Sequence, residues 1–439
     1  MYLQTDEQTI EDLRLFSKSD TLGIYDLYNN SFTRGGQAVM EMMFRKPLSD
    51  RDEILKRIHI ITAFIGMNTR FPFDGSMLDT VEKYISFDEN QGGGSKVSLS
   101  EKDIQNGIVS TIGLFHTMKQ FVVAGDVIKV KELSEERNAI LELLNDPVFA
   151  PVFNEKPNTR ISFAAVTAYD VLIRIKEKPK LLKLLRFIYQ IDVYISVAQM
   201  AIKHKLVFPT VHPKRTGILK VEGVYHPLLK NAVANSLVMD RNTTQVFLTG
   251  ANMAGKSTFL RSFSTAVYIA HMGFPIAAAS MEFSVMDGVY TTINLPDNLG
   301  IGASHFYAEV LRVKKVAKEL NDGKSIFVLF DELFRGTNVK DAYEGTVAVC
   351  NAFLNRPDSK FIISSHIIEA ADELKKKPNV SFYYLPTIMN GPVPEYTYTL
   401  QEGVTNDKHG MIIINNEGVL DILKNGIKGG RKARPSSIV

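Results

Sequence analysis

Between residues 246 and 270 the chain sets down a strand, a glycine-rich turn and a helix in immediate succession. Few folds accept that order at this spacing. Val246-Phe-Leu-Thr249 is apolar enough for a buried strand, and Gly250, Gly255, Lys256 and Ser257 occupy the fixed places of G-x-x-x-x-G-K-[ST]. Phe259, Phe263, Ala266, Val267 and Ala270 then recur at helical spacing. A turn of backbone N–H groups at a helix N-terminus suits an anion. Gly250, Asn252, Met253, Ala254, Gly255, Lys256, Ser257 and Thr258 are therefore the expected phosphate cradle. Lys256 would set a point charge on the β/γ-phosphates, and Ser257 an oxygen on Mg²⁺. The alternative is a glycine-rich turn that holds no ligand.

The text on either side differs in kind. Before about residue 216 it reads as helices. Ile54, Leu55, Ile58, Ile61 and Ile65 share one, with Asp50 or Asp52 as its cap, and Ile104, Ile108, Ile112 and Phe115 share another. Gln91-Gly-Gly-Gly-Ser95 is a break, and a long helix is expected from Pro179 to Lys205. After 216, strands and helices alternate. Gly217–Gly223 and Ser236–Met239 read as short strands, and Glu282–Ile293 as strand text before a Gly/Asn/Ser-rich loop at 294–304. Phe306, Val310, Val313, Ala317 and Leu320 step by 4-3-4-3, an amphipathic helix. The strands Ile326–Phe330 and Phe361–Ser365 come next, which indicates an α/β nucleotide-binding domain.

Whole-chain properties exclude several classes. The chain has 439 residues, 45% hydrophobic and 23% charged, enough for two or three domains with real cores. One cysteine, Cys350, excludes an intramolecular disulfide framework and fits a reducing compartment. The polar, acidic N-terminus has no signal-peptide pattern, and no apolar run reaches spanning length. A cytoplasmic protein with no membrane association is expected. Net charge is only +3, so nucleic acid would need a local patch. Arg174, Lys176, Lys178, Lys180, Lys183 and Arg186 form one, opposed in sequence only by Glu177. It reads either as a phosphate-backbone contact or as a solvated helix face.

Two further stretches carry chemistry. Five apolar residues end in Asp331-Glu332, the pattern of a Walker B strand. Asp331 would hold Mg²⁺ through water at the strand's C-terminal end, and Glu332 would take a proton from the attacking water. His366 closes another apolar strand, where a γ-phosphate sensor would stand, although a lone histidine is more often structural.

These motifs resemble the MutS family of DNA mismatch repair ATPases. Thr249-Gly-Ala-Asn-Met-Ala-Gly-Lys-Ser-Thr258 is similar to T-G-P-N-M-G-G-K-S-T, and Asp331-Glu-Leu-Phe-Arg-Gly-Thr337 to D-E-x-G-R-G-T. His226-Pro227 resembles the family's H-P ahead of the nucleotide site. Asp297-Asn-Leu and Ser304-x-Phe306-x-x-Glu309 resemble the loop that reaches the partner subunit's ATP. Tyr398-Thr-Leu and His409-Gly410-Met resemble the closing, dimer-forming segment. Thr33-Arg-Gly-Gly36, Lys46-Pro-Leu-Ser-Asp50 and Gln190-Ile-Asp-Val193 resemble the helical core and its lever helix. Ala251, Ala254 and Phe334 depart from the family pattern.

The resemblance implies an ABC-type P-loop ATPase domain of α/β fold at 216–425, including a dimerisation segment. A mostly α-helical core/lever domain at 1–215 precedes it, and a basic flexible tail at 426–439 ends the chain. It further implies ATP and Mg²⁺ as cofactors, DNA and a second copy of the chain as partners, and His226 and Ser304 as nucleotide contacts. Ser304 would be given to the partner's site. Core text begins near residue 15, so no mismatch-reading domain is expected. Two other readings remain: a non-catalytic, nucleotide-gated scaffold, and an ABC-type ATPase of another class, which would need an L-S-G-G-Q-like signature not found in the chain.

Overall fold

The computed structural model describes residues 1–18, 21–86, 99–157, 159, 161–251, 253–293, 295, 305–390, 393–405, 414 and 418–423. The expectations for Asn252, Asp297-Asn-Leu, Ser304, His409-Gly410 and the tail lie outside these residues. The chain forms two compact units. One takes in Met1–Arg14, Pro209–Tyr268 and Ala277–Val439; the other takes in Leu15–Phe208 and Ile269–Ile276. Met1–Arg14, expected in the helical half, thus cluster with the sheet-bearing unit.

Among the described residues that unit has the strands β1 (Thr210–His212), β2 (Leu219–Val224), β3 (Asn235–Met239), β4 (Gln245–Gly250), β5 (Ser280–Ser284), β6 (Gly288–Thr292), β7 (Ile326–Phe330), β8 (Lys360–Ser364), β9 (Val380–Leu385), β10 (Thr387–Asn390), β11 (Val393–Tyr396) and β12 (Gln401–Glu402). The large sheet has the order β12-β9-β4-β8-β7-β6. All its pairs are parallel except β12–β9. Strands buried on both faces of a parallel sheet read as unbroken apolar runs, which is why Ile-Phe-Val-Leu-Phe at β7 is legible as a strand. The register sets Leu248 opposite Ser364 and Phe330 opposite Ile363. The segments leaving β4, β7 and β8 therefore emerge along one edge: the glycine-rich turn, Asp331-Glu332 and Ser365-His366.

Helices Lys256–His271, His305–Asn321 and Val339–Phe353 connect these strands. Phe353 stacks on Phe361 with ring centroids 4.4 Å apart, and Phe330 stacks on Phe353. The expected strand Glu282–Ile293 is two strands. β5 pairs with β1 and β2 in a separate four-stranded sheet, and β6 joins the large one. The break falls at Asp287, whose carboxylate accepts from Ser325 N (3.0 Å) and pairs with Lys214.

The second unit is helical. Its longest helix, Lys178–His204, packs on Arg34–Arg45 and Arg51–Met67. Asp50 caps the latter, accepting from Asp52 N and Glu53 N. The buried Asp192 accepts from Phe32 N, Thr33 N and Thr33 Oγ (2.6–2.9 Å). A Cβ on Gly36 would sit 2.2 Å from Asp192 Oδ2, and one on Gly35 would sit 2.4 Å from the Tyr189 ring. Both glycines of Thr33-Arg-Gly-Gly36 are thus required by close approach of the long helix. The basic stretch 174–186 is less free than its sequence suggests. Arg174 is bound to Asp170 (2.7 Å) and Lys180 to Asp146 (2.7 Å) and Glu177 (2.8 Å). Lys176, Lys183 and Arg186 remain exposed.

Candidate nucleotide site

The glycine-rich turn succeeds β4 and ends in the helix that starts at Lys256. Gly250 (φ +146°) and Gly255 (φ +95°) hold backbone conformations that favour glycine. Ala254 is not among the positive-φ residues, so alanine costs the turn nothing at that departure from the family pattern. Met253 takes the left-handed region (φ +68°) with its side chain exposed. Gly255 is also a close approach, since a Cβ there would meet Tyr398 Cδ1 at 2.8 Å.

Lys256 is buried, and its Nζ donates back to Gly250 O (2.8 Å) and Ala251 O (3.0 Å). Burial pushes its pKa down, against the pull of Asp331 and Glu332. Ser257 Oγ donates to Asp331 Oδ2 at 2.6 Å. Among the described residues, Asp331 Oδ1 is buried with no donor in hydrogen-bond geometry. Burial raises the Asp331 pKa, while the Ser257 and Ser364 hydroxyls pull it down. A serine hydroxyl and a carboxylate oxygen facing one spot, one of them unsatisfied, is a donor set suited to a hard cation such as Mg²⁺. Among the described residues no group of three or more His, Cys, Asp or Glu is placed to hold a metal ion, so such an ion would need phosphate oxygens or water for the remaining positions.

Glu332 sits in the left-handed region (φ +56°), anchored by its N–H on Ser364 O (3.0 Å). Its two oxygens are divided. Oε1 is 2.6 Å from His366 Nε2, and Oε2 accepts from Arg335 at 3.1 Å. His366 foremost, with Arg335, holds the carboxyl down to about 2 against burial. Two residues on, Phe334 is again left-handed (φ +63°), at the position where the family pattern has glycine. Its ring is buried against Phe306 (centroids 5.7 Å apart) and Gly345. Glu309, nearly buried, accepts from Arg335 N (3.2 Å) and Gly336 N (3.3 Å), which ties the helix His305–Asn321 to the turn after β7.

Two cavities flank the turn. One of about 160 Å³ is walled by Ser257, Thr292, Ile293, Glu309, Asp331 and Glu332. It is polar. The other, about 230 Å³, is walled by His226, Val233, Asn235, Gly255, Thr258 and Tyr398. It is apolar for the most part. Asn235 donates to Tyr398 O (2.9 Å) and accepts from Leu400 N (2.6 Å), fixing Tyr398 over the turn. His226 Nδ1 accepts from Leu228 N (3.4 Å), and burial, with Arg261 and Arg14 nearby, lowers its pKa to about 4. The ring is neutral at pH 7, with its proton on Nε2.

Of the expected site residues, Lys256, Ser257, Asp331, Glu332 and His366 come together. Gly250, Met253, Ala254, Gly255 and Thr258 form the turn beside them, and His226 lines the apolar cavity rather than the polar one. Asn235 joins the site without any local sign in the sequence, and Tyr398, expected only as part of the closing segment, joins it as a wall of the apolar cavity. Neither sits in a spacing that marks a site, and the fold alone brings residue 398 beside residue 255.

Residues 246–425 match the family model described as MutS domain V. The DNA mismatch repair protein MutS of Persephonella marina is 27% identical over 260 residues, 57% of this chain and 29% of that protein. The MutS of Leuconostoc mesenteroides is 28% identical over 268 residues (58% and 31%), and that of Streptococcus agalactiae 26% over 267 (58% and 31%). The chain spans about 30% of the length of these curated relatives.

Proposed function

Because the chain belongs to the MutS family and carries its domain V at residues 246–425, we propose that it binds ATP with Mg²⁺ and hydrolyses it to ADP and phosphate in an ABC-type P-loop domain. The observation that carries this reading is the meeting of Lys256, Ser257, Asp331, Glu332 and His366 beside one polar cavity at the carboxyl edge of a parallel sheet. The adenine would occupy the apolar cavity beside Gly255 and Thr258, against His226 and Tyr398. The phosphates would lie along the turn, drawing Lys256 Nζ from Gly250 O and Ala251 O. Ser257 and Asp331 would hold Mg²⁺, which supplies charge neutralisation on the β/γ oxygens.

Glu332 would orient the attacking water. A carboxylate held near pKa 2 is a good acceptor and a poor store for a proton, so its part is positioning, and the proton passes on to the released phosphate. His366 would fix Glu332 Oε1 and face the γ-phosphate. Lys256→Ala is expected to lose nucleotide affinity with the fold kept. Glu332→Gln is expected to bind ATP normally and to hydrolyse it about 100-fold more slowly or worse. Equal, near-zero turnover in wild type and Glu332→Gln would favour the nucleotide-gated scaffold.

The same reading extends to a homodimer with composite sites, Ser304 serving the partner's nucleotide, and to coupling of the ATP cycle with DNA without mismatch recognition. Its support is the resemblance of the motifs and the exposed Lys176, Lys183 and Arg186. No described helix is long and apolar enough to cross a membrane, and a cytoplasmic location is part of the proposal.

A further inference from the structure

Residues 1–14 form a strap on the sheet-bearing unit although nearly three hundred residues separate them from their partners. Gln4 makes a parallel bridge with Gly288 of β6, its N–H donating to Asp287 O (2.8 Å) and its carbonyl accepting from Val289 N (2.9 Å). The helix Glu7–Asp12 comes next, capped by Asp6. Thr9 Oγ accepts from Thr291 N (3.0 Å). Asp12 Oδ2 accepts from Ile293 N (2.8 Å) and Thr291 Oγ (3.1 Å), and Oδ1 accepts from Gln8 Nε2 (2.9 Å). Donors from three residues, Gln8, Thr291 and Ile293, converge on a side chain that is only 3% exposed.

The strap also reaches two helices of the site. Asp12 O accepts from Arg261 Nε (2.7 Å), one turn beyond Ser257. Asp6 pairs with Arg312 and Lys315, and Arg312 donates in turn to Thr291 O (2.7 Å) and Thr292 Oγ (3.0 Å). Arg312 is one turn beyond Glu309, which holds the Arg335-Gly336 backbone. Thr292, Ile293 and Glu309 are walls of the polar cavity beside Ser257 and Asp331; none of residues 1–14 lines it.

We propose that Asp12 is a positioning residue of this cavity. Its carboxylate fixes the Thr291–Ile293 wall, and the strap keeps that wall in register with Ser257 and Glu309. The inference rests on reading the cavity as the place of ATP hydrolysis. A strap that merely covered the edge of β6 would stabilise the fold and leave turnover untouched.

The test compares the full chain with Asp12→Ala, Asp12→Asn, Thr291→Val and, as control, Lys256→Ala. Two readouts are needed: kcat and KM for ATP, and hydrogen exchange of peptides covering 287–293 and 305–312. In Asp12→Ala, kcat is expected to fall about tenfold or more with KM within about threefold of wild type, because the misplaced wall matters to the reacting geometry rather than to binding. Asp12→Asn, whose side-chain oxygen still accepts from Ile293 N, should recover to within about threefold of wild type. Exchange at 287–293 should rise in Asp12→Ala whether or not ATP turns over. Unchanged exchange there overturns the proposal, as does wild-type kcat in folded Asp12→Ala. An equal fall in Asp12→Ala and Asp12→Asn overturns it too. If Asp12→Ala does not fold, Thr291→Val carries the test, with a smaller kcat loss expected and an unaltered kcat overturning it. If wild type and Lys256→Ala are equally inert, the hydrolysis reading fails, and exchange alone decides whether Asp12 positions the wall.

Discussion

His226 is the residue where titration and site geometry meet. Its folded pKa, about 4, lies below its ordinary value of 6.5. The unfolded chain therefore takes up a proton below about pH 6.5 while the native state refuses it until about 4. The stability tied to the neutral ring is complete above 6.5 and is lost as pH falls through that window, by up to roughly 3 kcal/mol. Chemical denaturation of wild type and His226→Gln at pH 7.5 and 4.5 checks this: wild type should lose roughly 2–3 kcal/mol more than the variant on acidification. Parallel losses would mean that the ring is not held neutral by its surroundings. Phe334 poses the opposite kind of choice. A left-handed phenylalanine costs on the order of 1–2 kcal/mol, whereas emptying a buried phenyl site costs roughly 3–5. Packing against Phe306 and Gly345 wins, so a residue that breaks the glycine pattern is retained at net advantage.

At the scale of elements, the turn after β7 is clamped between two helices, and Gly336 shows how tightly. A Cβ there would stand 2.5 Å from Phe306 N and 3.0 Å from its Cα, so the start of the helix His305–Asn321 must move. At Gly323 the same atom would meet nothing within 4 Å, although φ is +74°. Gly336→Ala is expected to destabilise by about 2 kcal/mol or more, and Gly323→Ala by about 1, measured by urea unfolding. Similar costs would show that the close approach relaxes freely. Sequence patterning is informative where a single element decides it. The strand–turn–helix at 246–270, the apolar strand before Asp331 and the long helix ending at His204 all derive from local periodicity. It fails where partners are distant. Of the 4-3-4-3 apolar stripe of His305–Asn321, Phe306, Val310 and Val313 are half-buried and Leu320 is buried, but Ala317 is exposed, and Glu309 and Arg312, the side chains that lock the helix in place, are among its most buried. Nothing local distinguishes them from surface charges. Likewise Glu282–Ile293 has uniform strand composition, and only tertiary pairing divides it between two sheets at Asp287.

For the molecule as a whole, the exposed basic charge bears on the largest of its proposed partners, DNA. The basic stretch on and before the helix Lys178–His204 divides into charges already matched, Arg174 and Lys180, and exposed ones, Lys176, Lys183 and Arg186. Lys183 and Arg186 are exposed, so they can be altered without unfolding the unit. If this face meets a phosphate backbone, Lys183→Glu combined with Arg186→Glu should weaken duplex DNA binding about tenfold or more. The slope of log affinity against log salt should shrink by about 1–2. An unchanged slope would move the contact elsewhere, and no binding by wild type at low salt would remove DNA from the reading.

The strap at the start of the chain has a consequence for synthesis. Thr9 and Asp12 bond to residues 279–282 positions later, and Asp6 to Arg312, 306 positions later. At ordinary translation rates, residues 1–14 wait roughly 15–60 s on the ribosome for β6 and the helix His305–Asn321 to be made. Residues 1–14 thus dock only after partners made much later, at a point when β7, β8, β9 and β12 of the same sheet are still to follow.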